Sequence, residues 1–295
     1  LNKANAECQT DLLQGPSGRC LHITSLTALD ARTVRALNQH DSVVNVATLS
    51  PVLPVLTPFM MHLPFSTHAE MLQYAGDGAL SLQELALAYE SARGGVSHEQ
   101  VRKNMVDLIA IWRTSIAQGM AGTRYEDRIL GSQSPTFAAR TKTGKLADIG
   151  ALNGIIARVS ALMEVKSAMG LIIAAPTAGA CAALPGTLIG LADHMKLDDQ
   201  AVARGLLAAG LIGVFIARRS TFAAEVAGCQ AECGSASGMA AAGGVEMMGG
   251  NRTQAAAAAS MALQNVLGMV CDPVANRVEV PCLGKNVLAA ANALA

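Results

Sequence analysis

Aromatic residues are nearly missing from this chain: five Phe, three Tyr and one Trp in 295 residues. Apolar residues still make up 51% of it, and alanine, leucine, valine, glycine and methionine supply most of them. That composition suits closely packed helices, where small side chains let backbones approach. A surplus of either charge is also lacking, with 22 Lys plus Arg against 22 Asp plus Glu. No electrostatic footprint for nucleic acid or an anionic membrane follows from such a balance, and neither partner is expected. The first twenty residues are polar and hold no apolar segment of a secretory leader. A clean membrane-spanning run is missing too. Leu171 to Ala192 has no charged residue, but Pro176, Pro185 and glycines at 179, 186 and 190 interrupt it, so two short buried pieces around a turn are expected. Gly205 to Ala217 is too short to cross.

What is present falls into three textures. In residues 1–64, Asp30 is placed to cap a helix over Ala31 to Gln39, Ser42 to Leu49 alternates like a strand, and prolines at 51, 54, 58 and 64 form an extended connector. This reads as the tail of a small α+β domain with a proline-rich linker. Residues 65–295 read as mainly α. Ser66 is a candidate cap for a helix from about Thr67, Ser81 with Glu84 forms a capping box for Leu82 to Ala92, and Ser97 with Gln100 repeats it for a helix from His98 towards Gly119. Val101, Met105, Leu108, Ile109 and Trp112 share one face there and read as core. Gly131 to Gly144 reads as a polar loop. Beyond Lys145 come alanine- and glycine-rich helices, one of them opened by Asn251 and Gln254 and ended by Gly268.

Seven cysteines do not form a disulfide framework in a chain this long, and a reducing, cytoplasmic setting is expected. Cys229 precedes a run of small helix-compatible residues, where a helix N-terminus would favour a thiolate. Cys271 precedes Asp272-Pro273, and Cys282 follows Pro281 at the end of an alternating stretch from Arg277 to Val280. Zinc sites pair ligands about two to four residues apart, which only Cys229 and Cys233 approach. On spacing alone, two readings stand: metal ligands, or buried free thiols.

Three phrases narrow the choice: APTAGACAALPGTL (Ala175 to Leu188), GCQAECGSA (Gly228 to Ala236) and GMVCDPVANRVEVPC (Gly268 to Cys282), with Asn286 just beyond. Together they resemble the α subunit, or α domain, of the iron–sulfur-dependent L-serine dehydratases. The resemblance extends more weakly back to about Phe65. It implies a [4Fe–4S] cluster held by Cys229, Cys271 and Cys282 with one iron left open, and no pyridoxal phosphate. Cys8, Cys20, Cys181 and Cys233 match no ligand position and read as packing residues. Three thiolates rather than four leave a coordination position for substrate, as an open catalytic zinc site does. The implied reaction removes water from L-serine or a similar β-hydroxy-amino acid, giving a 2-oxo acid and ammonia. Lys166 and Glu164 are the candidate bases. Thr177 with the amides of Ala178 and Gly179, and Asn286, are candidates for binding the small amino-acid substrate. Glu232 and Asp272 are expected to tune the cluster from beside its ligands.

The chain also departs from the family's pattern. Lys166 and Leu171 stand where an Asn and an Arg are common, Thr221 to Ala224 replaces a Ser-Ile-Ser-Gly phrase, and Leu-Gly-Lys precedes Asn286 where an acidic–basic pair is usual. The serine-rich phrase of the family's β domain has no counterpart; Gly15 to Gly18 is too short. Residues 1–64 then look like the tail of a β-like domain, so a β subunit or a missing N-terminal domain is an expected partner, alongside a homo-oligomer. The alternatives are β-elimination of sulfide from cysteine and a non-catalytic iron–sulfur subunit. A zinc-binding structural protein suits the spacing poorly.

Overall fold

Several helices start where the adjacent sequence supplies a side-chain acceptor for their unpaired first amides. The computed structural model describes residues 8–15, 18–25, 29–47 and 63–295. Asp30 accepts hydrogen bonds from the amides of Arg32 and Thr33 at the start of α1 (Ala31–Asn38). Reciprocal boxes open α2 (His68–Ala75), through Thr67 and Glu70, and α3 (Leu82–Gly94), through Ser81 and Glu84. Ser66, the expected cap of α2, instead donates its amide and hydroxyl to Glu70. At α4 (His98–Ala121) Ser97 accepts from the Gln100 amide, but the Gln100 side chain turns to Asn104 and leaves the box half made.

The chain divides into two compact units, Leu1–Val55 and Leu56–Ala295. In the first, β1 (Cys8–Gly15) and β2 (Gly18–Ser25) pair antiparallel, from Cys8 opposite Ser25 to Gly15 opposite Gly18. The helix α1 follows. The expected strand at Ser42 to Leu49 is absent over 42–47, which form turns and irregular chain; 48–49 and the prolines at 51, 54 and 58 lie outside the described residues. The hairpin escapes a pattern reading because it has no buried face to impose alternation: the adjacent residues Leu12 and Leu13 are both more than half exposed.

Among the described residues the regular elements of the second unit are helices: α2 to α4, then α5 (Ser134–Lys142), α6 (Ala151–Ser167), α7 (Ala183–Met195), α8 (Asp199–Arg219) and the short α9 (Ala224–Ala227). A π-helical turn (Gln230–Gly234) runs straight into α10 (Ser235–Met247), followed by α11 (Arg252–Asn265) and α12 (Glu279–Leu294). The protein is thus mainly α, as the composition implies. The helix α10 is its axis, buried at 11 of 13 positions and packed by α7, α8, α11 and α12. Only small residues permit this. A Cβ on Gly243 of α10 would stand 2.6 Å from the Gly205 carbonyl oxygen of α8, and a Cβ on Gly205 would stand 2.8 Å from that of Gly243. The Trp112 face of α4 packs as expected, with Val101, Ile109 and Trp112 buried and Met105 and Leu108 against the core.

Three further expectations change. Gly131 to Gly144 is not a loop throughout, since α5 occupies most of it. Arg277 to Val280 is not a strand: α12 begins at Glu279, and Val274 and Arg277 form only an isolated bridge. Leu171 to Ala182 is irregular chain leading into α7, so the first of the two expected buried pieces is a loop. The run at Gly205 to Ala217 belongs to α8, whose 21 residues make it long and apolar enough to span a bilayer. Its most apolar stretch is 61% buried within the protein itself, which fits a core helix.

Candidate functional site

The loop between α6 and α7 is shaped from elsewhere in the chain. The N-cap of α7 is Ala182, which has no acceptor in its side chain. Asn286, on α12 and fully buried, supplies it: Oδ1 accepts from the amides of Ala183 at 2.9 Å and Ala182 at 3.3 Å. Its Nδ2 donates to the carbonyls of Gly179 at 2.7 Å and Cys282 at 2.8 Å. One side chain therefore ties the loop that carries Thr177, Ala178 and Gly179 to the turn that carries Cys282. The Thr177 hydroxyl donates to Glu232 Oε1 at 2.7 Å, and a Cβ on Gly179 would stand 2.6 Å from Glu232 Oε2. Glycine at 179 lets the π-turn carboxylate lie against the loop. The amides of Ala178 and Gly179 donate to nothing among the described residues and remain available to an anion.

Cys229, Cys271 and Cys282 come from three segments. Cys229 starts the π-turn and is 2% exposed, Cys282 sits in the first turn of α12 and is 4% exposed, and Cys271 is exposed on the connection from α11 to α12. The π-turn and that connection are stitched together by Gln230, whose side chain accepts from the Gly268 amide at 2.8 Å and whose own amide donates to the Met269 carbonyl at 2.9 Å. The three thiols interact with one another. Burial pushes Cys229 up to about 12, with the Lys285 ammonium pulling it down and Cys271, hydrogen-bonded to it, and Cys282 adding to the rise. Burial also raises Cys282; Lys166 opposes this, while Glu232 and Cys271 reinforce it. Without a metal, both buried groups are protonated thiols at neutral pH, and a metal taking them as ligands displaces their protons.

Of the remaining sequence candidates, Glu164 is 2% exposed and fully engaged. It accepts from the amides of Gln133 at 2.7 Å and Ser134 at 3.0 Å and from the hydroxyls of Ser132 and Ser134. It is the missing cap of α5, whose own N-cap Gln133 provides none, and this assigns it to the framework rather than to proton transfer. Lys166, two residues on, is half-buried, makes no hydrogen bond or ion pair with a described residue, and acts electrostatically on Cys181 and Cys282. Asp272 is 59% exposed and pairs with Lys285. Cys181 and Cys233 are buried packing residues, but Cys20 is exposed on β2, where no core exists for it to fill; the Cys8 side chain lies outside the described residues.

Two residues that matter here, Gln230 and Lys285, stand within or beside the phrases read from the sequence, but their roles do not show there, because each acts across a loop junction. Among the described residues no three His, Cys, Asp or Glu side chains stand close enough to hold one metal ion. The thiol set is a looser one, drawn from three segments and beside a cation.

The second unit is thus a helical domain with a buried glycine-lined axis, a remotely capped loop and a thiol group at the junction of three segments. The model of the family described as serine dehydratase alpha chain matches residues 77–295, and this chain belongs to that family. It is 33% identical over 230 residues to the probable L-serine dehydratase, alpha chain, of Bacillus subtilis (strain 168), covering 78% of this chain and 77% of that one. To the L-serine dehydratase, alpha chain, of Peptoniphilus asaccharolyticus it is 34% identical over 232 residues, 77% and 78% of the two chains. L-serine dehydratase 2 of Escherichia coli (strain K12) is 30% identical over 253 residues, which cover 82% of this chain but 53% of that longer one.

Proposed function

We propose that this chain is the α component of an iron–sulfur L-serine dehydratase, removing water from L-serine or a close β-hydroxy-amino acid. The observation that carries the reading is the meeting of Cys229, Cys271 and Cys282 beside a loop with two free amides. Three thiols without a fourth protein ligand suit a cluster that keeps one iron open. Cys229, Cys271 and Cys282 would hold a [4Fe–4S] cluster. When bound, it supplies a Lewis acid at the iron without a protein ligand, which makes hydroxide a better leaving group.

The chain's own residues have the other tasks. The amides of Ala178 and Gly179 bind the substrate carboxylate, and Glu232 fixes their loop through the Thr177 hydroxyl. Asn286 holds that loop in register with the Cys282 turn. Lys166 takes the Cα proton. Loss of the hydroxyl gives an enamine, which tautomerises and hydrolyses to pyruvate and ammonia, and no pyridoxal phosphate enters this scheme. The names of the shorter relatives, alpha chains, support a second chain or domain as partner.

The test is turnover by protein purified without oxygen, given L-serine, L-threonine and L-cysteine in turn. The reading expects pyruvate from L-serine, with Lys166→Met reducing kcat at least about 100-fold, the scale of a general base. Sulfide from L-cysteine with no pyruvate from L-serine would overturn the assignment of substrate.

A further inference from the structure

Lys285 is a largely buried cation on α12, three residues after Cys282. Its side chain is 14% exposed, its ammonium pairs with Asp272, and it makes no other hydrogen bond with a described residue. Its partner Asp272 is the residue next to Cys271, so the ammonium stands where the exposed ligand's loop meets α12. The partner Asp272 is mostly in water, so the pair is lopsided: the cation lies inside the protein and the carboxylate outside. An ammonium taken out of water needs anions around it, and neutral thiols supply none. Thiolates on a cluster would.

Resting on the reading above, we propose that Lys285 is a positioning residue that neutralises the negative charge of a thiolate-bound cluster at Cys229 and Cys271. Asp272, next to Cys271 in the chain, holds the other side of the same ammonium and ties the exposed ligand's loop to α12. Lys285 thus acts in two ways: its charge favours the anionic centre, and its pairing closes the connection from α11 to α12. A cation beside the cluster also favours the reduced over the oxidised state, since reduction adds negative charge.

The experiment compares wild type, Lys285→Met, Lys285→Gln, Lys285→Arg and Asp272→Asn, all reconstituted without oxygen. It reads iron loss to a ferrous chelator and the midpoint potential by spectroscopically monitored titration. Lys285→Met and Lys285→Gln should lose iron about tenfold faster than wild type, the usual scale for groups beside metal ligands. Their potentials should shift negative, and Lys285→Arg should restore both properties. Asp272→Asn removes a negative charge, so its potential should shift positive. Unchanged potentials in the Lys285 variants overturn the proposal. So does a shift of the same sign in the Lys285 and Asp272 variants, which marks the pair as a loop tie alone. Lys285→Gln and Asp272→Asn carry the test if Lys285→Met does not fold. Wild type that binds iron but makes no pyruvate fails the reaction reading while leaving this test intact; wild type that takes up no iron overturns both.

Discussion

Two kinds of side-chain cap open helices in this protein, one local and one remote, and the difference bears on how the site is built. α2, α3 and α11 are opened by reciprocal capping boxes within their own first turns, and α4 and α8 by Ser97 and Asp198. α5 and α7 have no such residue. Their amides are satisfied by Glu164, 30 positions from Ser134, and by Asn286, 103 positions from Ala183. A locally capped helix can form its terminus before the rest of the chain packs. A remotely capped one can do so only when α6 or α12 has arrived. The loop before α7 and the turn bearing Cys282 are therefore fixed by the same event, which is how a site drawn from several segments acquires one geometry.

The largest effect that would break this comparison is at Glu164. Replacing it with Leu leaves two amides and two hydroxyls in a buried setting, and should cost about 3 kcal/mol or more. Hydrogen exchange should show α5 opening first; exchange spread evenly over all helices would deny Glu164 a capping role. Asn286→Leu should cost about 2–3 kcal/mol by the same reasoning, and should raise KM for serine because the loop of Thr177 to Gly179 loses its tether. A variant equally unstable but with unchanged KM would reduce Asn286 to a packing residue. Ser81→Ala removes a local cap, worth about 1 kcal/mol, and should lower Tm while kcat and iron content stay as in wild type.

The smallest effect concerns pH. Glu279 accepts from the amides of Ile129 and Leu130, a third remote tie, and pairs with Arg277. Burial alone would raise its carboxyl, but the bonds from Arg277, the two amides and Tyr125 hold it at about 2 against an ordinary 4.5. The folded value is depressed, so this contribution is complete above about 4.5 and fades as pH falls towards 2. Wild type should lose stability over that window more steeply than Glu279→Gln, compared by denaturant midpoints at matched ionic strength.

The same division explains what could be read from the sequence. Asp30, Ser81, Ser97 and Asn251 announce their helices because cap and helix are neighbours, and the glycine and alanine content foretells the tight crossing at Gly205 and Gly243. Gly131 to Gly144 reads as a loop because the acceptor that makes Ser134–Lys142 a helix lies in α6. The cysteines stand out through their phrases, whereas the roles of Lys285 and Gln230 do not, since each becomes meaningful only when α12 and the π-turn meet the connection after α11. Glu164 drew attention for its charge beside Lys166; the structure shows that charge occupied by four donors.

A cluster on Cys229, Cys271 and Cys282 is tested most plainly by iron and acid-labile sulfide per chain, with an absorption spectrum, on protein prepared without oxygen. Wild type should hold about four of each, lost in Cys271→Ala and retained in Cys20→Ala. No iron in wild type after anaerobic reconstitution, or full iron in Cys271→Ala, would contradict it.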